Sequence, residues 1–546
     1  MTTASSTSPT EPIARDVVVV GAGFSGMYLI IKLRELGLSF SVLEQGDDVG
    51  GTWYWNRYPG ARCDIPTIEY SYSFDKDLQQ EWDWQELMAA QPEILDYANH
   101  VADRYNLRQD VTFNTTVTAA TYDETQQTWL INCADGSCYR ARFFIMATGC
   151  LSVPNWPDIP GREDYAGRVI HTGLWPHEPV DFSGQRVGII GTGSSAVQSI
   201  PEIAAQAEHL YVFQRTPVYT FPAGNHLLDD AFRTEIKDRY DDIRAQQRGS
   251  FAGMALYGVM GRLQEVGDEN IQDLSDAERR ARLADDGLPS LRRYPDVMTD
   301  LEANEVACEL YRDYIREVVH DPGTAHGLLP QGYPIGCKRQ VIDIGYYEAF
   351  NRDNVTLVDL REAPISAINA TGLATTETQY NFDVLIFATG FDAMTGAINA
   401  VDIRGRNGQR LQEKWADGPR NYLGLQIAGF PNLFTVTGPG SPSVLSNMIC
   451  SIEQHVDWIT DCINYLRTNG KTSIEAEHTA EDHWVKHVNQ VANGTMLTTP
   501  SCSSWYLGAN IPGKARIFMP YVGGVGPYRQ QCIQIANEGY AGFRIE

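Results

Sequence analysis

DVVVVGAGFSGMYLIIKLREL, residues Asp16–Leu36, is the stretch that decides the fold. A β-branched run, Val17–Val20, leads into Gly21, Gly23 and Gly26, and an amphipathic segment follows. This is the GxGxxG turn between a strand and a helix. The first glycine permits the tight turn, the second lets backbone approach a pyrophosphate, and the third lets helix and strand pack closely. Phe24 and Ser25 lie in the first helical turn, where amide donors and the positive dipole end face a phosphate. The next strand, Phe40–Leu43, closes on Glu44 and Gln45. A carboxylate at that place can accept both hydroxyls of a ribose, which makes the turn a dinucleotide site.

The pattern recurs at Arg186 as RVGIIGTGSSAVQSIPEIA. Gly191, Gly193 and Ala196 form GxGxxA, with Thr192, Ser194, Ser195 and Gln198 around the turn. The following strand, Leu210–Phe213, ends differently, in Gln214, Arg215 and Thr216. No carboxylate stands where a ribose 2′-hydroxyl would bind. A carboxylate would repel a 2′-phosphate, whereas an arginine pairs with one. The second nucleotide is therefore expected to be NADPH and not NADH.

Two further segments resemble each other, FFIMATG at Phe143–Gly149 and VLIFATG at Val384–Gly390. Each reads as a short apolar strand ending at Thr-Gly, and each marks a crossing between two folds. The expected architecture is α/β, with two Rossmann-like dinucleotide-binding domains, the second inserted in the first. The expected bounds are 1–150 and 385–546 for the first, 151–224 and 331–384 for the second, and 225–330 for a helical insert within the second. Residues 1–14 read as a loose tail. In the insert, Ser275 with Glu278 and Thr299 with Glu302 fit capping boxes. Val306, Leu310, Tyr314 and Val318 suggest a buried helix stripe.

The chain has 546 residues and a formal net charge of −26. Such a surface repels nucleic acid, so cofactor phosphates must be held locally. Ten cysteines are scattered with no CxxC. Cys133 and Cys138 are the closest couple, with no histidine cluster beside them, so no metal site is expected. Free thiols in a reducing cytosol are the simplest account. The N-terminal twelve residues lack a signal-peptide pattern, and no apolar run approaches the roughly 20 residues that span a bilayer. A cytoplasmic enzyme is expected, monomeric or weakly self-associating, with no membrane partner.

Between the glycine turns lies Tyr165-Ala-Gly167-Arg-Val-Ile-His171-Thr-Gly-Leu-Trp175-Pro176. It resembles the type I Baeyer–Villiger monooxygenase fingerprint FxGxxxHxxxW followed by Pro or Asp, with Tyr165 in place of Phe. Gly50–Asp64, GGTWYWNRYPGARCD, is similar to the same family's GGxWxxxxYPGxxxD. CKR at Cys337–Arg339, ATGFDA at Ala388–Ala393, GPGSPSVLSN at Gly438–Asn447 and YVGG at Tyr521–Gly524 extend the likeness over almost the whole chain, nearest to its phenylacetone and steroid branch.

The resemblance implies FAD and NADPH as cofactors and a ketone and O2 as substrates. It implies oxygen insertion beside the carbonyl, by way of a C4a-peroxyflavin, to give an ester or lactone, with sulfoxidation as a side activity. It assigns the catalytic cation to Arg339, aimed by Asp64. It puts Gly51, Thr52, Trp53, Trp55, Asp64, Tyr70 and Val117 at the flavin nucleotide, beside the residues of the first turn. It adds Lys338 to Arg215 and Thr216 at the 2′-phosphate, and reads Trp505 as part of a loop that closes over NADP. Val444 and Leu445 would face a bulky apolar or aryl ketone. His171 has no triad around it and is read as a structural, domain-linking residue. An NADPH-dependent flavin reductase and an N-hydroxylating flavin monooxygenase are the alternatives.

Overall fold

The computed structural model describes residues 11–255, 267–339 and 341–546. Most of the expected tail lies outside them. The strand Ile13–Val20 nevertheless takes in Ile13 and Ala14, which pair with Tyr139 and Arg140, so the tail is shorter than its expected bound at 14.

The first sheet has eight strands. Its order is Asp402–Arg404, Val117–Asp123, Thr128–Cys133, Cys138–Met146, Ile13–Val20, Phe40–Leu43 and Val111–Thr112, with Leu433–Thr435 also against Cys138–Met146. Ile13–Val20 runs parallel to both neighbours; Val17–Val19 are buried, Val17 and Val19 in one core and Val18 in a second core on the other face, as a strand covered on both faces requires. The second sheet has five strands in the order Val355–Asp359, His209–Gln214, Arg186–Ile190, Val384–Phe387 and Arg168–His171. Every pairing in it is parallel.

The chain leaves the first sheet at Ala147–Gly149 and builds the second. It leaves the second at Ala388–Gly390 and returns to the first through Asp402–Arg404. Val384–Phe387 lies wholly in the second sheet, so the return begins after 387 and not at the expected 385.

The helical stretch divides between the two cores. Leu228, Ile236, Tyr240 and Ile243 pack with the first core, whereas Leu288, Ala303, Ala307, Tyr311 and Ile315 pack with the second. It is not one insert of the second fold. The capping box at Ser275 and Glu278 is present. The next one is not: the helix Leu301–Val318 is capped by Asp300, whose carboxylate accepts the amides of Glu302 and Ala303. Its buried face is Ala303, Ala307, Leu310, Tyr311 and Ile315, with Val306, Tyr314 and Val318 at the margin. Among the described residues no helix is long and apolar enough to cross a membrane, and no group of side chains could hold a metal ion.

Candidate active site

Each glycine turn sits at the C-terminal ends of its parallel strands, where the strand order reverses. Nucleotides bind at this place in such sheets. Gly21 has φ +104°, and a β-carbon on it would come within 2.6 Å of the Ala147 carbonyl oxygen. A β-carbon on Gly26 would lie 2.0 Å from the Gly21 carbonyl oxygen. Gly23 faces the backbone of Gly51, to whose α-carbon a β-carbon would approach within 3.2 Å. The first turn is thus walled by the Gly50-Gly51 segment. Beyond it, Thr52 is exposed, Trp53 buried and Trp55 half-buried.

Glu44 is buried, and its two carboxylate oxygens accept the amides of Ala22 and Gly46, each at 2.7 Å. Burial raises its pKa, and these amides pull it back. Each oxygen keeps lone-pair capacity for a ribose hydroxyl. Thr115 donates its amide to the Glu44 carbonyl, which brings Val117 to the same side. Gln45 is exposed, whereas Phe24 and Ser25 are buried in the turn. Trp53 donates its indole N–H to the Tyr70 hydroxyl at 3.1 Å. These residues form a backbone-lined cradle that fits a dinucleotide.

The second turn repeats the contact and leaves more open. A β-carbon on Gly191 would meet the Ala388 carbonyl oxygen at 2.4 Å, but one on Gly193 would meet nothing within 4 Å. Ser194 is exposed and Ala196 is buried. The Thr192 hydroxyl donates to the Thr216 carbonyl, and the Ser195 hydroxyl lies 3.1 Å from that of Thr172. Gln198 accepts the Tyr58 hydroxyl and donates to the Arg62 carbonyl, which joins the YPG segment to the second helix.

Arg215 is exposed beyond its strand. Lys338 lies over the Tyr333 ring, with its ammonium 4.1 Å from the ring centre. Burial lowers the Lys338 pKa, the thiols of Cys337 and Cys502 oppose this, and the charge of Arg215 lowers it further. Neither cation has an ion pair among the described residues. Two cations this close favour an anion between them, so the pair fits a 2′-phosphate.

Three distant stretches converge between the folds. Arg339 donates from Nε and Nη2 to both oxygens of Asp64, at 2.7 and 2.9 Å, and from Nη1 to the Val444 carbonyl at 2.5 Å. Both charged side chains are partly buried, 29% and 27% exposed, so the pair is neither a loose surface contact nor sealed from a substrate. Burial alone would lower the guanidinium's pKa, but Asp64 outweighs it and holds the pKa well above its ordinary value. Arg339 therefore stays charged.

Sequence reasoning missed two contributors here. Tyr506 is buried against Arg339: burial raises its phenol pKa and Arg339 pulls it down. The Val444 carbonyl is a backbone atom, invisible to residue-type reasoning. The Val444 side chain is buried in the second core, and Leu445 is partly buried beside it.

Trp505, in the turn Trp505–Leu507, is half-buried, with its ring centre 4.3 Å from that of Tyr506. Tyr506 is the more deeply anchored of the two. The Cys502 thiol donates to the Cys337 carbonyl, so the same loop is tied to the CKR segment.

His171 is buried and accepts the Gly173 amide at Nδ1, with Thr389 Oγ1 3.3 Å from Nε2. Burial holds its pKa down at about 4. A neutral histidine pinning the Ala388–Gly390 exit is structural.

Two nucleotide folds, each with its glycine turn among parallel strands, meet at a half-buried arginine–aspartate pair, the arrangement of a two-nucleotide oxidoreductase. Residues 18–247 match the family model described as pyridine nucleotide-disulphide oxidoreductase. The chain is 38% identical to acetone monooxygenase (methyl acetate-forming) of Gordonia sp. (strain TY-5) over 97% of this chain and 99% of that protein. It is 39% identical to a Baeyer–Villiger monooxygenase of Pseudooceanicola batsensis over 96% of this chain and 95% of that protein. The solved structure of oxidized steroid monooxygenase bound to NADP superimposes with a TM-score of 0.89 at 47% identity, over 97% of this chain and 99% of that one. The chain belongs to the Baeyer–Villiger monooxygenase family, and its cofactors are FAD and NADP(H).

Proposed function

We propose that this enzyme inserts one oxygen atom of O2 beside the carbonyl of a bulky apolar or aryl ketone, with Arg339 as the catalytic cation and Asp64 as the residue that aims it. The observation that carries the site assignment is the two-pronged Arg339–Asp64 pair, capped by the Val444 carbonyl. Ketone, O2, NADPH and a proton go to ester or lactone, NADP+ and water. Bound FAD supplies the hydride acceptor and the site of O2 activation, chemistry that belongs to the cofactor.

The chain's own residues do the rest. Arg339 would keep a fixed positive charge where negative charge develops on oxygen during insertion beside the carbonyl. It cannot serve as a proton donor at working pH, so it stabilises the anion without quenching it. Asp64 and the Val444 carbonyl fix three of its N–H groups, and Tyr506 lies against the same guanidinium, so its orientation is set from several sides. In our reading the first fold, with Glu44, Gly51, Thr52, Trp53, Trp55, Tyr70 and Val117, holds FAD. The second, with the Gly191–Gln198 turn, Arg215, Thr216 and Lys338, holds NADPH.

Trp505 and Tyr506 belong to a loop that screens the nicotinamide side from water. Val444 and Leu445 supply apolar wall, and the 47% identity to a steroid monooxygenase supports a large substrate. Free cysteines throughout the described chain support a cytosolic enzyme.

The test is a ketone panel under 18O2 with product identification. One labelled oxygen in an ester or lactone is expected. NADPH consumption that no ketone accelerates would identify a reductase, and an oxidised amine as the sole product would identify an N-hydroxylase.

A further inference from the structure

Behind the first nucleotide fold lies a cavity of about 210 Å3 that none of the residues proposed for FAD, NADPH or ketone lines. Its walls are the helices Phe24–Glu35, Tyr240–Gly249, Met448–Thr468 and Val525–Asn537, with the Ser71–Phe74 loop. Three guanidinium groups enter it, from Arg244, Arg248 and Arg529. Arg244 is buried, and its hydrogen bonds go to Gln79, Gln247, Ser71 and the carbonyls of Glu69 and Tyr72. All are neutral acceptors. Arg248 and Arg529 are half-buried and have no hydrogen bond or ion pair among the described residues.

Two carboxylates share the cavity, each held by hydrogen bonds from other groups of its wall. Glu453 accepts the Ser73 amide and hydroxyl and the Phe74 amide. Asp457 accepts the Tyr28 hydroxyl and lies 3.6 Å from the Lys32 ammonium. Burial raises the pKa of Glu453, and its hydrogen bonds from Ser73 and the charge of Arg244 pull it back. Buried or half-buried charge without a hydrogen-bonded counterion is costly, and a ligand that supplies the counterion removes that cost. Guanidinium forks match the oxygens of phosphate, and the volume exceeds what one phosphate ion fills.

We infer that this cavity is a binding site for a small phosphate-bearing molecule, held by Arg248 and Arg529 with Arg244 behind them, in a protein whose net charge of −26 otherwise repels anions. The ligand would clamp the helix Tyr240–Gly249 to the helices Met448–Thr468 and Val525–Asn537. The first of these leaves the second fold's part of the sequence to pack on the first core. The inference is independent of the reaction proposed above.

The test uses FAD-loaded enzyme saturated with NADP+, which blocks the 2′-phosphate position. Inorganic phosphate and glycerol 3-phosphate are each titrated against chloride at matched ionic strength, with thermal midpoint and calorimetric heat as readouts. A saturable rise with either phosphate, absent with chloride and lost in Arg248→Gln/Arg529→Gln, is expected. Tighter binding of the ester assigns an organic phosphate, and equal or weaker binding assigns free phosphate.

A second measurement needs no variant. Cys450 lines the cavity, and its alkylation, followed by peptide mass spectrometry, should slow at least several-fold when phosphate is present. No saturable effect, or an undiminished one in the double variant, overturns the site. So does phosphate-independent alkylation of Cys450.

Discussion

Gly21 and Gly191 occupy the same point of their sheets, each against the carbonyl of an Ala-Thr-Gly exit, at Ala147 and Ala388. Around this shared backbone the two turns differ. Gly23 is opposed by Gly51, and Glu44 grips the amides of Ala22 and Gly46. Gly193 has open space before it, and the strand beyond ends in Arg215 with Lys338 alongside. In our reading the enclosed, acid-bearing turn keeps a resident flavin. The open, cation-bearing turn admits a co-substrate that comes and goes. Enclosure slows release, and two unpaired cations select the 2′-phosphate without a deep pocket.

The meeting point of the two folds gives the largest expected effect. Arg339→Ala should still reduce FAD with NADPH at close to the normal rate, because hydride transfer needs docking and not an anion stabiliser. Ester formation should fall by about 10²–10³-fold or more, the usual consequence of removing a preorganised stabilising donor. Rapid-mixing flavin reduction and product analysis on one preparation read both. Wild-type ester yield from this variant would remove Arg339 from the chemistry.

The charge difference comes next. Arg215→Ala or Lys338→Ala should each cost about 1.5–3 kcal/mol of NADPH binding, the range for a charge-assisted hydrogen bond, which is on the order of 10–100-fold in KM. The KM for NADH should barely move. Equal losses with both nucleotides would show that these cations do not read the phosphate. The difference in enclosure is sharpened by Gly193→Ala, which should weaken NADPH with no change in melting temperature. Gly23→Ala, in contrast, should lower FAD content, read as the flavin-to-protein absorbance ratio. Identical behaviour of the two variants would break the contrast.

Much of this was legible in the sequence, for physical reasons. Glycines at fixed spacing report where backbone must pass close to backbone, and the repeated Ala-Thr-Gly segments are the other sides of those contacts. The missing carboxylate after Leu210–Phe213 reports the charge of the second site. Asp64 and Arg339 are 275 residues apart, and only the family resemblance paired them.

The rest was hidden in kind. A carbonyl such as that of Val444 carries no residue signature. Thr299 and Asp300 are adjacent and both able to cap, so the helix start was ambiguous by one residue. The stripe Val306, Leu310, Tyr314 and Val318 recurs every four residues, which rotates about 40° per step around a helix of 3.6 residues per turn, so it drifts off the buried face. The helix Tyr240–Gly249 carries no mark of which core it joins, because both cores accept the same apolar side chains.

Each region also carries one buried histidine that fastens the chain beside its nucleotide turn, and here the smallest effect is expected. His171 holds Gly173 and Thr389 in the second fold. His455 accepts the Thr437 amide at Nδ1 and lies 2.9 Å from the Tyr528 hydroxyl in the first. Burial lowers both pKa values below the ordinary 6.5, to about 4 for His171 and about 3 for His455. A group with a depressed folded-state pKa binds its proton more readily in the unfolded chain. Above about pH 6.5 both states are neutral and the full stability is present. As pH falls from there toward about 4 for His171, and toward about 3 for His455, each costs at most about 1.4 kcal/mol per pH unit. His171→Asn and His455→Asn keep an acceptor for the Gly173 and Thr437 amides but cannot titrate. Denaturant melts from pH 7.5 to 5 should therefore show a shallower loss of stability for each variant than for the wild type, with parallel behaviour above pH 6.5. A pH slope unchanged in His171→Asn would mean that this histidine is already protonated in the folded protein, and its place as a neutral pin at the exit of the second fold would have to be given up.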